Sequence, residues 1–368
     1  MIYNISSQTQ LAGFYILYNG ATQNEEIGFR GVSHLMEHLL HGQNKHLYNK
    51  FDEFAISNNA FTTNTEIAFH ITGLDKLIDR FKYKFLENIS SFNVDKKTFL
   101  NEKSIILQEY SDYFDQQPFF HHEHLFRKYL NFYGPIGCIK DLKSLTYEKA
   151  NEFYSKYFSA PTAIINVSQS YPFKEQIKYL PRKDYKEIEF KDNPTYKPQD
   201  KNHFNKVSII SISKNIIKDD YAIVDFISGM LSEGLNSPLY KLIREKYGLV
   251  YNLSMLIEPI TNKEGVLYFQ TLTDDIKSAN KIEKILNYVL DNPEKYLTEE
   301  RFRIFKQLNR IEFAKDNINR FSNVGKYFMD KEWYVENYLD TMTLEDVFRV
   351  YKKYFNNFHF SIDKIEFV

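Results

Sequence analysis

The sequence predicts an α+β protein of two similar domains, each an antiparallel sheet with helices packed on one face. Three observations carry that expectation. Short aromatic and β-branched runs that read as strands are interleaved, without strict alternation, with longer runs whose apolar residues recur at helical spacing. A charged stretch rich in proline divides the chain near its middle. The second half then resembles the first in length and element order, although no residue-level repeat is detectable. Strands segregated from helices favour antiparallel sheets covered on one side.

The elements follow in order. Residues 14–18 are aromatic and β-branched and end at Asn19-Gly20, a strand signature. In residues 31–42 the apolar positions Val32, Leu35, Met36, Leu39 and Leu40 form a helical stripe that Gly42 can stop. Residues 59–72 return to strand chemistry, and helices are expected over 74–89 and 96–113. Thr146 is an N-cap for a helix over 147–158, before a strand at 163–167. Pro172, Pro181, Pro194 and Pro198 fall between residues 168 and 205, which places the domain boundary near 185, giving domains 1–185 and 186–368. Beyond it a strand is expected at 207–212, helices at 221–231 and 238–246, strands near 249–255 and 265–272, and helices thereafter.

Lysine and arginine number 47 against 48 acids, a net charge of -1 over 368 residues. No global field draws the chain to nucleic acid or an anionic membrane. The single cysteine, Cys138, cannot form an internal disulfide, which fits a reducing compartment. No apolar run approaches the roughly 20 residues that span a bilayer. No signal or transit pattern opens the chain. A soluble cytoplasmic protein without membrane or nucleic-acid partners is expected.

Chemistry concentrates at His34-Leu35-Met36-Glu37-His38. On a helix, His34 and His38 lie one turn apart, about 6 Å along the axis and on one face, so two imidazoles can meet one ion. Zinc needs a third protein ligand and an open position for water if it is to catalyse. The expected 96–113 helix offers Glu102 and Glu109, seven residues and two turns apart on one face, with Glu109 to ligate and Glu102 behind it. The bland alternative is an amphipathic helix with two histidines at its rim. A second cluster, His121-His122-Glu123-His124, follows a loop-like Gln116-Gln117-Pro118 and reads better as solvated histidines.

These residues resemble the pitrilysin, insulysin and mitochondrial processing peptidase family, the inverted zincins whose H-x-x-E-H reverses the commoner H-E-x-x-H. Residues 28–33 (GFRGVS) resemble the family's glycine-containing approach to the motif, and Asn59-Ala60-Phe61-Thr62 its N-A-Y/F-T strand. Residues 242–251 (LIREKYGLVY) are similar to its L-R-E-K-x-G-L-x-Y signature. His41-Gly42-Gln43 departs from the family's usual phenylalanine and glycine-threonine at that place. The resemblance implies a metallopeptidase holding one Zn2+ per chain through His34, His38 and Glu109. It implies Glu37 as general base and Glu102 as the carboxylate that orients the ligands. It also implies a peptide substrate that adds as a strand along Asn59, Ala60 and Phe61 and is contacted by Arg244 and Tyr251 from a facing domain. Family chambers contain four such domains, so a homodimer or a related partner chain is expected. A catalytically silent scaffold subunit, a peptidase dedicated to one precursor, and a structural zinc protein are the competing readings.

Overall fold

The structure is a computed structural model that describes residues 1–7, 9–115, 126–181, 206–212, 216–261, 263–316, 339–355 and 359–365. It divides into two units. The first comprises Met1–Tyr113 and Tyr133–Glu187, and the second Phe114–Phe132 and Ile188–Val368.

The first unit carries β1 (Ile2–Ser6), β2 (Leu11–Tyr18), β3 (Ser57–Thr62), β4 (Ile67–Leu74) and β5 (Ala163–Ser168) in the order β1-β5-β2-β4-β3. All neighbours are antiparallel except β1 and β5. Its helices are α1 (Val32–Gly42), α2 (Lys45–Glu53), α3 (Asp75–Ile89), α4 (Lys96–Asp115), α5 (Ile139–Ser144) and α6 (Tyr147–Tyr157). The expected strand over 59–72 is a hairpin, β3 and β4, because Thr63 and Glu66 pair back to back and reverse the chain. The sequence reading lacked β1 and α2. Asn44 starts α2 by accepting from the Leu47 N–H at 3.1 Å.

Strand alternation sorts the sheet. Phe14 and Tyr18 pack among Phe69, Phe158 and Phe173, fully or almost fully buried, with ring centroids 5.0–6.1 Å apart. On α1, Val32, Leu35, Met36, Leu39 and Leu40 are fully buried, which leaves the histidine side of the helix for the site. Among the described residues β3 lies at an edge of the sheet, paired on one side only, to β4.

The second unit contains β6 (Lys206–Ile212), β7 (Ile216–Ile217), β8 (Leu253–Pro259), β9 (Glu264–Thr273) and β10 (His359–Ile365), all paired antiparallel. Its helices are α7 (Tyr221–Ser232), α8 (Ile276–Leu290), α9 (Pro293–Tyr296), α10 (Glu299–Asp316) and α11 (Leu344–Tyr354), with a π-helical turn at Tyr240–Lys246. Among the described residues an apolar cluster including Phe226, Ile227, Leu267, Leu286 and Val350 forms the main core, with a smaller one of Phe126, Leu130, Ile260, Val266 and Tyr268 beside it. The strand expected near 249–255 begins only at Leu253. Upstream, the carbonyls of Leu249 and Asn252 accept from the hydroxyls of Thr273 and Thr271 instead of from a ladder partner. No described helix is long and apolar enough to cross a membrane.

Candidate metal centre

The loop before α1 is fastened before the helix begins. Residue Gly31, the N-cap, has φ 96° and no side chain with which to cap. Glu25 supplies the acceptor from upstream: its carboxylate takes the Gly31 N–H at 2.8 Å and the Ser33 N–H at 2.7 Å. Burial pushes that carboxyl up to about 7 against the opposing pull of these bonds. In its ionised form the carboxylate is stabilised by the macrodipole at the helix N-terminus. Gly137, at φ 75°, rests against Gly31 so closely that a Cβ there would run into the Gly31 backbone. Asp141 accepts from the Gly28 N–H at 2.8 Å. Sequence reasoning missed Glu25, since nothing in its spacing separates it from other surface acids.

Helices α1 and α4 then bring four side chains together. Glu109 Oε2 lies 3.6 Å from His34 Nε2 and 3.5 Å from His38 Nε2. Donors about 2.0–2.1 Å from a tetrahedral zinc stand about 3.4 Å from one another, so these two separations have the length that zinc requires. Three ligand atoms, one from each of His34, His38 and Glu109, all lie within 4.8 Å of one another. Two imidazoles and one carboxylate are the donor set of a catalytic zinc with a position left for water. Glu109 is 42% exposed, which leaves that side open to solvent.

The ligand surroundings are uneven. Glu102 Oε2 lies 3.3 Å from His38 Nδ1, on the far side of the ring from Glu109, the arrangement that fixes a tautomer and an orientation. His34 Nδ1 is buried and has no hydrogen-bond partner among the described residues. Burial, with His38 beside it, pushes His34 down to about 4, so its imidazole is neutral at pH 7 and able to ligate.

Glu37 points from the same helix to β3, where the Thr62 hydroxyl donates to its Oε2 at 2.5 Å. Burial raises the Glu37 carboxyl above the ordinary carboxylate range, and Glu109 adds to this, while the Thr62 bond and His38 oppose it. One turn on, His41 Nε2 is 3.0 Å from Asn58 Oδ1, and its ring lies 4.7 Å from that of Tyr48. Thr62 and Asn58 share a face of β3, so Asn59 and Phe61 alternate to the other. Asn59, Ala60 and Phe61 thus sit on the edge strand beside the metal helix.

In the second unit, the Arg244 guanidinium lies 4.8 Å over the Tyr240 ring and 4.5 Å over the Tyr251 ring. Tyr251 is 82% exposed, so the stacked pair presents one cationic and one phenolic group to solvent. Gly248, at φ 59°, ends the helical turn and lets the chain reverse between them. The His121, His122 and His124 cluster lies outside the described residues.

Comparison with known proteins adds to this geometry. Residues 144–308 match the family model described as the peptidase M16 inactive domain. The zinc protease PqqE of Helicobacter pylori is 26% identical over 175 residues, a match that covers 44% of this chain and 39% of that protein. Among solved structures, a protease from Helicobacter pylori superposes with a TM-score of 0.78 at 20% identity, covering 96% of this chain and 94% of the other. An M16 inactive domain from Pseudomonas fluorescens gives 0.72 at 14% identity, covering 98% and 94%. At these identities the structural likeness establishes the fold, two α+β units of the kind expected.

Proposed function

We propose that the chain, whose residues 144–308 match an M16 peptidase model and which is similar to a zinc protease, is an M16-type zinc-dependent endopeptidase whose metal is held by His34, His38 and Glu109. The observation that carries the reading is the triangle of Glu109 Oε2 with the two imidazole Nε2 atoms, at 3.5 and 3.6 Å. When bound there, zinc supplies Lewis acidity, bringing the pKa of a water molecule toward about 7 and polarising the scissile carbonyl. Glu37, its basicity raised by burial, would take a proton from the attacking water and return it to the leaving amine. Thr62 holds the Glu37 carboxylate in place through its hydroxyl. Glu102 orients His38 from behind.

A peptide substrate is held by strand addition along Asn59, Ala60 and Phe61, which the free edge of β3 supports. Arg244 and Tyr251 contact the peptide from the second unit of a neighbouring chain, so that a homodimer or a related partner completes the site. The exposed tyrosine suits donation to the developing oxyanion.

A second reading, a silent partner subunit of the same fold, draws on the description of the matching family model as an inactive domain. That match begins at residue 144, downstream of Glu37 and all three donors, and so describes a different part of the chain. Cleavage of a quenched fluorescent peptide library by the wild type and by Glu37→Gln, with zinc measured on both, separates the readings. Activity lost in Glu37→Gln with zinc retained supports the peptidase. Zinc without cleavage of any peptide favours the silent subunit, and a wild type that takes up no zinc overturns the metal assignment.

A further inference from the structure

We infer that the hydrogen bond between His41 and Asn58 positions the edge strand over the metal helix and thereby selects which bond of an added peptide is cut. The inference rests on the endopeptidase reading and concerns the choice of bond, which that reading leaves open.

Helix α1 is tied to β3 at two points. Glu37 and His41 are one helical turn apart, and Thr62 and Asn58 lie four residues apart on one face of the strand. Thr62 donates to Glu37 at 2.5 Å, and His41 meets Asn58 at 3.0 Å. The ladder to β4 holds β3 within the sheet over residues 57–62, but a single tie would leave the far end of this edge unanchored against α1. The second tie anchors that end too, so both ends of the strand are set against the metal helix. Ala60, midway between them and on the same face, brings only a methyl group to the helix side.

The helix end of the tie is itself immobilised. Gln43, just past α1, donates to the Asn88 carbonyl and to the Ser91 carbonyl at 2.9 Å, and accepts from the Asn93 N–H at 3.0 Å. The His41 ring is also backed by Tyr48 of α2, its centroid 4.7 Å away. His41 and Gln43 are the residues at which this sequence departs from the family it resembles, and both departures form tethers at the same end of the metal helix. With that end fixed, the His41 bond constrains the strand and not the helix.

A peptide added to β3 inherits the position of that strand. Successive residues of a strand rise about 3.3 Å, and a misplacement of about 1 Å can cost on the order of a hundredfold in rate. A displacement of β3 smaller than that step therefore slows cutting at the preferred bond and lets neighbouring bonds compete with it. His41 and Asn58 are positioning residues: they act through the strand.

The test uses peptides long enough to lie along β3, with cleavage positions read by mass spectrometry and kcat and KM read for each bond. His41→Phe keeps a ring against Tyr48 and removes the hydrogen bond, Asn58→Ala removes its partner, and His41→Gln places an amide nitrogen where Nε2 stood. The expected result for His41→Phe and Asn58→Ala is wild-type zinc content, a KM raised about three- to tenfold, and new cleavage at bonds next to the preferred one. The double variant should match either single variant, since both remove one bond, and His41→Gln should restore the wild-type pattern. Should His41→Phe fold poorly, Asn58→Ala on the edge strand carries the comparison. Unchanged KM and cleavage positions in an active enzyme, or single effects that simply add, overturn this inference alone. A zinc-loaded wild type that cuts no peptide overturns it together with the endopeptidase reading.

Discussion

Glu102 grips His38 from the side of the ring that faces away from the other metal donors: its Oε2 lies 3.3 Å from Nδ1, while Nε2 stands 3.5 Å from Glu109. Because His34 Nδ1 has no such partner, the orientation of the whole donor set leans on this one carboxylate. Glu102→Gln should lower zinc affinity about 10- to 100-fold, measured by competition with a chelator. An affinity equal to wild type would remove Glu102 from the site.

Glu109→Gln replaces a charged donor by a neutral amide in the triangle with His34 and His38. Stoichiometric zinc in purified wild type and its loss from Glu109→Gln is the expected outcome, by elemental analysis. His34→Ala should behave alike, whereas Glu37→Gln, whose side chain bonds Thr62 and not the donor set, should keep its zinc.

Thr62→Val keeps the shape of the side chain and removes the hydroxyl that holds Glu37. A drop in kcat of about tenfold with zinc retained is expected, on the scale of about 1–1.5 kcal/mol for one hydrogen bond. A variant as fast as wild type would show that Glu37 needs no such support.

Stability of the metal-free protein should fall as pH drops from about 6.5 toward 4. Burial pushes His70 down to about 4, as it does His34, and both ring nitrogens of His70 lack hydrogen-bond partners among the described residues. Between those pH values the unfolded chain binds protons that the native state does not, so acid favours unfolding. His70 also packs 4.9 Å from the Tyr15 ring, and His70→Phe can preserve that contact. The variant should flatten the pH dependence of urea unfolding by up to about one proton. An unchanged slope would place the linked protons elsewhere.

Gly137→Ala should destabilise the first unit by about 2 kcal/mol or more, since the residue needs a positive φ and its Cβ would strike Gly31. Thermal unfolding measures this. Weaker zinc binding should accompany it, because Gly31 begins the metal helix.

The sequence by itself determined the parts of this protein that local geometry dictates. The stripe Val32, Leu35, Met36, Leu39 and Leu40 requires a helix buried on that side, and the same helix necessarily presents His34 and His38 together one turn apart. Seven-residue spacing likewise aligned Glu102 and Glu109 on α4. The unevenly mixed strand and helix runs were enough for an α+β class, and the gathering of motifs was enough for the family. What only the tertiary structure decided are contacts between residues distant in sequence, where no period constrains the partner. Thr62 reaches Glu37 across 25 positions and Asn58 reaches His41 across 17, each because a hairpin returns β3 to the edge beside α1. Glu25 caps a helix to which it does not belong. Phe126 and Leu130 pack with Ile260, Val266 and Tyr268 of the second unit although the chain returns to the first unit at Tyr133. Periodicity records which face of an element is buried; it carries no information on which other element covers that face, and that choice is made by packing the whole chain.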